Sequence, residues 1–396
     1  MVYLYKKKMK KKVLMILKYH RPWNNAIIDK FSNYYDTEFL YISNFKNRNF
    51  TETVNDINNL IKSKNIEIVF FDVDYFRFIN FFFIKKINSK KKIIMIGDDS
   101  DQHEFHAITA NACDLVLNSD PFAVLKYMEK GYEAIFLNFE SSKLSKNNES
   151  KKEIDVLFYG NITPDRKIIL DYIAKEGISL KNVGHEDNIT LLPQDKLLNL
   201  ISKSKIVLNL SKTRSTVLLN YASEIVYKFY YQFKGKLMVA GLHGSACVSE
   251  YSPGQALLFS EEEVPTFFTK EECAKILKKL LNDNELLVKY TNKFTSKVCN
   301  LFEEKKSFEP IYNAIEKMNH KRVQLIKFPY WYLRIIAKQI LLRNIKLSSL
   351  IKSILQFKLI FEIIKNSNFL IKLLIIFESI FNTFWYSFAF TLKHKR

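Results

Sequence analysis

A lysine-containing loop is the first place in this chain where the residue types could do chemistry. Lys234, Gly235 and Lys236 come directly before the apolar segment 237–242, which predicts a short helix. The free N–H groups and the dipole of a helix N-terminus favour an anion, and lysines beside it add positive charge. The pattern therefore predicts a phosphate-binding site. The alternative is that these lysines are solvated surface charges, which are common in a chain with a net charge of +20.

An acidic loop is the second such place. Gly97 to His103 (GDDSDQH) follows the apolar segment 92–96, which predicts a buried strand. A carboxylate or an imidazole at a strand end could take the proton of an attacking hydroxyl group. Asp98, Asp99 and Asp101 also offer the oxygen ligands of a hard metal ion. General-base chemistry and metal binding both remain open from these residues alone.

Further candidates follow other predicted strands. Gly160 and Asn161 come after the strand at 155–159, and Thr163 and Pro164 predict a helix start that carries Arg166. His243 and Gly244 form a turn, and Glu250 with Tyr251 ends the strand at 245–250. His20 and Arg21 follow the first strand, where Arg21 could hold an acidic or phosphorylated acceptor.

The order of the elements indicates how these side chains are positioned. Short apolar strands alternate with helices on both sides of a polar stretch at 141–153, which predicts two parallel sheets joined by a linker. Such sheets bind ligands at the edge where their strands end. We predict a first Rossmann-like domain at 1–140, the linker at 141–153, a second Rossmann-like domain at 154–320 and a helical, basic and aromatic tail at 321–396.

A family resemblance rests on the same stretch. Phe233 to Phe259 resembles the donor-site segment of the GT-B glycosyltransferases of group 1, especially the branch typified by the spore maturation protein CgeB. The shared features are the basic loop, the turn at Gly244 and the run Glu250 to Gly254 (EYSPG). The acidic loop resembles one that CgeB-like proteins carry. The resemblance extends from about Ile66 to Met318, and it is absent from the last 76 residues.

The resemblance implies an α/β fold of the GT-B type, with two Rossmann-like domains and a cleft between them. It implies a nucleotide-sugar donor on the second domain, no metal and no further cofactor. The donor-binding residues would be Gly160, Asn161, Arg166, Lys234, Gly235, Lys236, His243, Gly244, Glu250 and Tyr251. The catalytic residues would be Asp98, Asp99 and His103, and the acceptor-binding residues His20 and Arg21. One departure is Val239, which occupies the position of a family glutamate that holds the donor ribose.

Charge and cysteine usage predict the surroundings of the protein. The segment 321–396 holds 14 Lys or Arg residues against two acids, a balance of +12, on a background of Leu, Ile and aromatic residues. Such a tail suits an anionic membrane surface better than a nucleic acid. The four cysteines are far apart, and no signal peptide is evident, so we predict a cytoplasmic protein peripheral to the inner face of the cytoplasmic membrane. A chain ending near His320 is then expected to fold. The alternative is that the tail packs on the domains as a helical cap.

Together these features predict a metal-independent glycosyltransferase. It would move a sugar from a nucleotide-diphosphate donor to a hydroxyl group of a surface glycan or a lipid-linked acceptor. Two alternatives remain: an inactive sugar- or nucleotide-binding protein of the same fold, favoured by Val239, and a basic membrane-associated scaffold, favoured by charge alone.

Overall fold

Two parallel sheets form the body of the protein. A computed structural model describes residues 10–17, 22–45, 48, 50–73, 78–97, 99, 102–138, 151–184, 192–212, 231–318, 327–342, 359–365 and 367–379. The first sheet has the order β2-β1-β3-β4-β5-β6, with every pairing parallel. Its strands are β1 (Lys12–Leu17), β2 (Asp36–Tyr41), β3 (Ile68–Asp72), β4 (Lys91–Ile96), β5 (Leu115–Asn118) and β6 (Ala134–Phe136).

Helices cover both faces of this sheet. They are α1 (Pro22–Ser32), α2 (Phe50–Lys64), α3 (Phe81–Lys86), α4 (His103–Ala110) and α5 (Pro121–Glu129), with a 3-10 turn at Ile42–Phe45. The strands β1, β3 and β4 are almost entirely apolar because both of their faces are buried. Asp120 begins α5 by accepting the Phe122 N–H, and Pro121 occupies the first helical position.

The second sheet has the order β11-β10-β9-β7-β8 and is also parallel. Its strands are β7 (Ile154–Phe158), β8 (Leu180–Asn182), β9 (Ser204–Asn209), β10 (Ala246–Glu250) and β11 (Thr266–Phe267). The helices that follow them are α6 (Pro164–Lys175), α7 (Gln194–Ser202), α8 (Lys236–Leu242), α9 (Pro253–Leu258), α10 (Lys270–Asn282) and α11 (Asn284–Phe302). The sequence predicted the strands at 155–159 and 245–250, the start of α6 and the helix at 237–242, but it did not predict the short elements β8, β11 and α9.

The end of the second domain returns to the first. After the short helix α12 (Glu304–Ser307), the helix α13 (Glu309–Lys317) packs on the first sheet. Phe308, Ile311 and Ile315 are buried in one core cluster with Phe31 and Phe70. Lys11 forms an ion pair of 2.5 Å with Glu316. The domain boundary predicted at 320 is therefore wrong, because residues 308–318 belong to the core of the first domain.

The described part of the tail packs on the first domain. The helix α14 (Tyr330–Leu342) buries Tyr332, Leu333 and Ile336 in the core around α3 and α4. The Tyr332 hydroxyl accepts the Phe81 N–H at 3.0 Å and lies 3.1 Å from Thr109 Oγ1. Residues 359–364 and 369–379 are also helical, and Ile360 and Ile375 reach the same core. Packing as a helical cap, the alternative given above, thus describes this part of the tail. Because these side chains are buried in the first-domain core, we now expect a chain ending near His320 to lose part of that core.

Candidate active site at the carboxyl edges of the sheets

The loops that follow β7, β9 and β10 meet at one edge of the second sheet. We call the edge at which the parallel strands end the carboxyl edge. Gly160 has φ of +109°, a conformation that favours glycine, and it turns the chain away from β7 toward α6. Thr163 caps α6 by accepting the Arg166 N–H at 3.4 Å. The sequence analysis predicted both the turn and the cap.

Arg166 links these loops to one another. Its side chain is buried and donates to the main-chain oxygens of Asn161 at 2.7 Å, Leu210 at 3.1 Å and Lys212 at 3.0 Å. The guanidinium therefore connects the loop after β7 with the loop after β9. These hydrogen bonds give Arg166 a positioning role for both loops, and its positive charge lies at the edge where the resemblance implies a donor diphosphate.

Glu250 holds the same loop from the other side. Its Oε2 accepts the Lys212 N–H at 2.8 Å, and its side chain is buried at the end of β10. Burial raises the pKa of Glu250, and the Lys212 N–H and the Arg166 charge oppose that rise. The predicted position of Glu250 at the carboxyl edge is correct, and its contacts support the loop after β9.

Lys236 lies at the start of α8 with its ammonium over two aromatic rings. The Nζ atom is 4.9 Å from the ring centre of Phe158 and 5.7 Å from that of Tyr159. It has no hydrogen-bond acceptor and no acidic partner among the residues that the structure describes. Burial, with the nearby Arg166 charge, lowers the pKa of Lys236 well below its usual value. An ammonium in this position is stabilised by an anion that enters the site.

The helix α8 has only seven residues, so the side chains and not a long helix dipole supply the positive charge. Gly235 precedes Lys236, and Lys234 Nζ donates to Gln232 Oε1 at 2.9 Å. The predicted anion site is therefore best ascribed to Lys236, with Lys234 beside it.

Asp120 brings the two carboxyl edges together. Its Oδ2 accepts the Phe233 N–H at 3.3 Å across the two domains, while its Oδ1 caps α5. Gly254 approaches so closely that a Cβ atom there would lie 2.2 Å from Asp120 Oδ1. Burial raises the pKa of Asp120 to about 6, with a contribution from Asp99 and an opposing one from Lys234. The acidic loop of the first domain and the basic loop of the second thus both lie within electrostatic range of one carboxyl group.

The first sheet contributes a buried carboxylate with two histidines. Asp99 Oδ2 lies 2.7 Å from His103 Nδ1, and Asp99 Oδ1 lies 2.8 Å from His106 Nδ1. The Tyr127 hydroxyl donates to the same Oδ1 at 3.0 Å. Burial alone would raise the pKa of Asp99, but the hydrogen bonds from His103 and His106 outweigh this effect and hold the pKa of Asp99 below its usual range. Asp99 is therefore an ionised acceptor that orients the two rings.

Of the two histidines in this cluster, His103 is the one whose second ring nitrogen is not engaged by a described residue. Its side chain is buried, its Nδ1 is fixed on Asp99, and its Nε2 has no hydrogen-bond partner among the residues described by the structure. His106 differs, because its Nε2 lies 3.1 Å from the Val73 carbonyl oxygen. A carboxylate on Nδ1 keeps the lone pair of a neutral imidazole on Nε2, which is the form that accepts a proton. Of the three predicted catalytic residues Asp98, Asp99 and His103, the structure brings Asp99 and His103 together, with the Asp99 carboxylate placed to orient the His103 ring.

Two predicted donor residues lie at the wrong end of the sheet. His243 and Gly244 follow the end of α8 and precede β10, so they lie at the amino edge, roughly 17 Å of strand from Glu250. His243 Nδ1 is 3.0 Å from the Val239 carbonyl oxygen. Burial is the main cause that lowers the pKa of His243, and the positive charge of Lys152 lowers it further. A helix that starts at the carboxyl edge must end at the amino edge. We therefore remove both residues from the site.

The remaining candidates divide into two groups. Tyr251 lies at the carboxyl edge and stacks on the exposed ring of Phe268, with 4.9 Å between ring centres. His20, Arg21, Asp98 and Asp101 lie outside the described residues. Within the described ranges, no group of three or more His, Cys, Asp or Glu side chains is arranged to hold a metal ion.

Sequence reasoning missed the residues that join the site together. Tyr127 and His106 complete the Asp99 cluster, and Asp120 connects the domains. The dipeptide Asp120-Pro121 indicated a helix start but not a contact 113 residues away. No local pattern marks Tyr127, because it is one of two aromatic residues on the helix α5 and the spacing of neither indicates a site.

Comparisons with known proteins identify a family resemblance and the fold. Residues 144–299 match the family model described as glycosyl transferase-like. No curated protein matches the chain. Among solved structures, HepE from Anabaena in complex with UDP-glucose has a TM-score of 0.56 at 11% identity, over 78% of this chain and 100% of that one. Sucrose-phosphate synthase from Thermosynechococcus elongatus has a TM-score of 0.52 at 8% identity, over 78% and 99%.

An α-glucosyltransferase in complex with UDP and a 13-mer DNA has a TM-score of 0.50 at 13% identity, over 78% of this chain and 100% of that one. At these identities the likeness establishes the fold, and the predicted GT-B architecture is confirmed. The predicted resemblance to glycosyltransferases is confirmed as well, while the CgeB-like branch stays a prediction. Residues 144–299 thus match a glycosyl transferase-like family model within a chain of the GT-B fold.

Proposed function

We propose that the protein transfers a sugar from a nucleoside diphosphate donor to a hydroxyl group of an acceptor. The observation that carries this proposal is the position of Asp120. It contacts the loop that leads to Lys236, and its carboxyl group is within electrostatic range of both Asp99 and Lys234. A group that accepts protons and a cluster that attracts anions therefore border the same cleft. We take uridine diphosphate sugars as the first donors to test, because two of the similar structures contain UDP or UDP-glucose.

The cationic side chains act on the leaving group. As the bond between the sugar and the diphosphate breaks, negative charge builds on the diphosphate, and an ammonium already desolvated beside it stabilises that charge. Lys236 supplies this ammonium, with Lys234 next to it. Arg166 and Glu250 keep the loop after β9 in place through their contacts with Lys212.

The acceptor is activated from the first domain. Its hydroxyl oxygen attacks the sugar carbon, and its proton passes to His103 Nε2. Asp99 holds the imidazole in the required tautomer and stabilises the imidazolium that forms. We propose that the acceptor is a surface glycan or a lipid-linked molecule, and that the protein works at the inner face of the cytoplasmic membrane. The basic and apolar composition of 321–396 supports this location.

Val239 favours a second candidate function. It is partly buried in α8 and offers no hydrogen bond to a ribose, so a protein that binds a nucleotide sugar without transferring it is the alternative. Slow hydrolysis of the donor distinguishes the two, because only an active enzyme releases nucleoside diphosphate.

We expect turnover to be independent of divalent metal ions. The purified protein, incubated with UDP-sugars in EDTA, should release UDP at the same rate as in the presence of Mg²⁺ or Mn²⁺, because Lys236 and Lys234 neutralise the leaving group. The assay measures released UDP. Activity that EDTA abolishes and Mn²⁺ restores would contradict metal independence, and no release under any condition would favour the binding protein.

A further inference from the structure

The last described helix of the chain has two apolar faces, and only one of them is covered. On the inner face, Ile375 is buried in the first-domain core, and Glu378 pairs with Arg334 at 2.8 Å. The outer face is exposed. We call it the apolar face; its members are between 43% and 78% exposed, and they are Phe361, Phe369, Leu370, Leu373, Leu374 and Phe377.

The spacing of these residues makes the face continuous. Phe369, Leu370, Leu373, Leu374 and Phe377 recur at intervals of three to four along 369–379, which is one side of a helix. Phe361 joins them from the helix at 359–364, across a shallow groove that Glu362, Ile364, Lys365 and Lys372 also line. A contiguous exposed surface of this kind marks a place where the protein contacts an apolar partner.

The charges beside the face indicate which partner it is. Lys365 and Lys372 have no acidic partner within the described ranges. The only two acids of residues 321–396 are already engaged, since Glu362 pairs with Lys86 at 3.1 Å and Glu378 with Arg334. A second copy of the chain joined through the same face would bring lysines together without acids to neutralise them. The neutralising charge must therefore come from another kind of molecule.

We propose that the apolar face inserts into the interfacial layer of an anionic phospholipid membrane, with Lys365 and Lys372 on lipid phosphates. This proposal rests on the proposed function in one respect only, which is that it names the membrane at which the sugar transfer takes place. No helix in the described ranges is long and apolar enough to cross a membrane. An apolar face flanked by lysines binds by lying in the interface, where hydrocarbon covers the rings and phosphates balance the ammonium groups.

Co-sedimentation of the full chain with lipid vesicles tests the proposal. We expect binding to vesicles of phosphatidylglycerol and phosphatidylcholine, and about tenfold weaker binding to phosphatidylcholine alone. The triple variant Phe369→Ser/Leu373→Ser/Phe377→Ser should lose roughly tenfold or more in binding, because three apolar side chains no longer leave water. The matched control is Ile168→Ser/Val288→Ser, which removes exposed apolar side chains from α6 and α11 and should bind as the unaltered chain does.

A charge-reversal pair examines the lysines separately. Lys365→Glu/Lys372→Glu should weaken binding to anionic vesicles about tenfold, whereas Lys275→Glu/Lys279→Glu, on exposed positions of α10, should change it far less. All of these positions are at least partly exposed, so thermal unfolding and UDP-dependent stabilisation should stay unchanged. The two measurements separate the membrane proposal from the proposed function. Vesicle binding can fail while UDP binding persists, and UDP binding can fail while vesicle binding persists.

Three outcomes would overturn the proposal. One is a full chain that binds neither kind of vesicle. Another is a triple variant that binds anionic vesicles as well as the unaltered chain, which would reduce the interaction to charge alone. The third is a dimer in solution that the triple variant dissociates without any vesicle binding, which would make a second copy the partner of the apolar face.

Discussion

Replacement of His103 by alanine is expected to lower the rate of sugar transfer by about 10²–10⁴-fold while donor affinity stays unchanged. The reason is that, within the described part of the chain, His103 Nε2 is the ring nitrogen of the Asp99 cluster that has no hydrogen-bond partner, so it can receive the acceptor proton. The measurement is kcat with a saturating UDP-sugar and acceptor, together with the dissociation constant of UDP.

A second histidine provides the control. His243→Ala removes a mostly buried imidazole at the opposite edge of the second sheet, and it should leave the transfer rate within about twofold. Asp99→Asn should lower kcat, because the ring of His103 loses the carboxylate that fixes its tautomer. A His103→Ala enzyme with a normal kcat would contradict the assignment of the base.

Removal of the tail is expected to unfold the first domain. A chain ending at His320 lacks Tyr332, Leu333, Ile336 and Ile360, all of which are buried in the first-domain core. At about 1.5–3 kcal/mol for each large side chain, the loss is roughly 6–12 kcal/mol, which is comparable to the whole stability of a domain. Circular dichroism and thermal unfolding of the full chain and of the chain ending at His320 measure this loss of stability.

A shorter deletion and a point variant serve as controls. Ending the chain at Ser379 keeps these four side chains and should preserve cooperative unfolding. Tyr332→Phe removes only the hydroxyl group that bonds the Phe81 N–H and Thr109, and it should cost about 1–3 kcal/mol. A chain ending at His320 that unfolds at the same temperature as the full chain would show that the tail is not part of the core.

Local sequence patterns predicted the sheets and the positions of most site residues. Alternating apolar strands and helices located both Rossmann-like domains, and the ends of β4, β7 and β10 were correctly identified as edge positions. The Thr163 cap and the turn at Gly160 also follow from residues within a few positions. These features depend on local propensity, so a single sequence contains the information for them.

Features that depend on distant contacts were not predicted. Arg166 bonds carbonyl groups 44 and 46 residues away, and Tyr332 bonds a main-chain N–H 251 residues away. Composition suggested a membrane role for the whole tail, since apolar residues that fill a core and those that contact lipid have the same character. The position of His243 could have been corrected from topology, because a helix leading from one parallel strand to the next begins at the carboxyl edge and ends at the amino edge.

The most direct test of the donor site is the titration of UDP into the full chain in EDTA, followed by thermal unfolding and calorimetry. We expect UDP to raise the unfolding temperature by mass action. Lys236→Met should raise the dissociation constant about 10–100-fold, because it removes a charged hydrogen-bond donor to the diphosphate. The control Lys167→Met removes an exposed lysine that pairs with Asp171 on α6, and it should leave the dissociation constant of UDP unchanged. If no nucleoside diphosphate stabilises the protein, or if Lys236→Met binds UDP as tightly as the unaltered chain, the proposed donor site is contradicted.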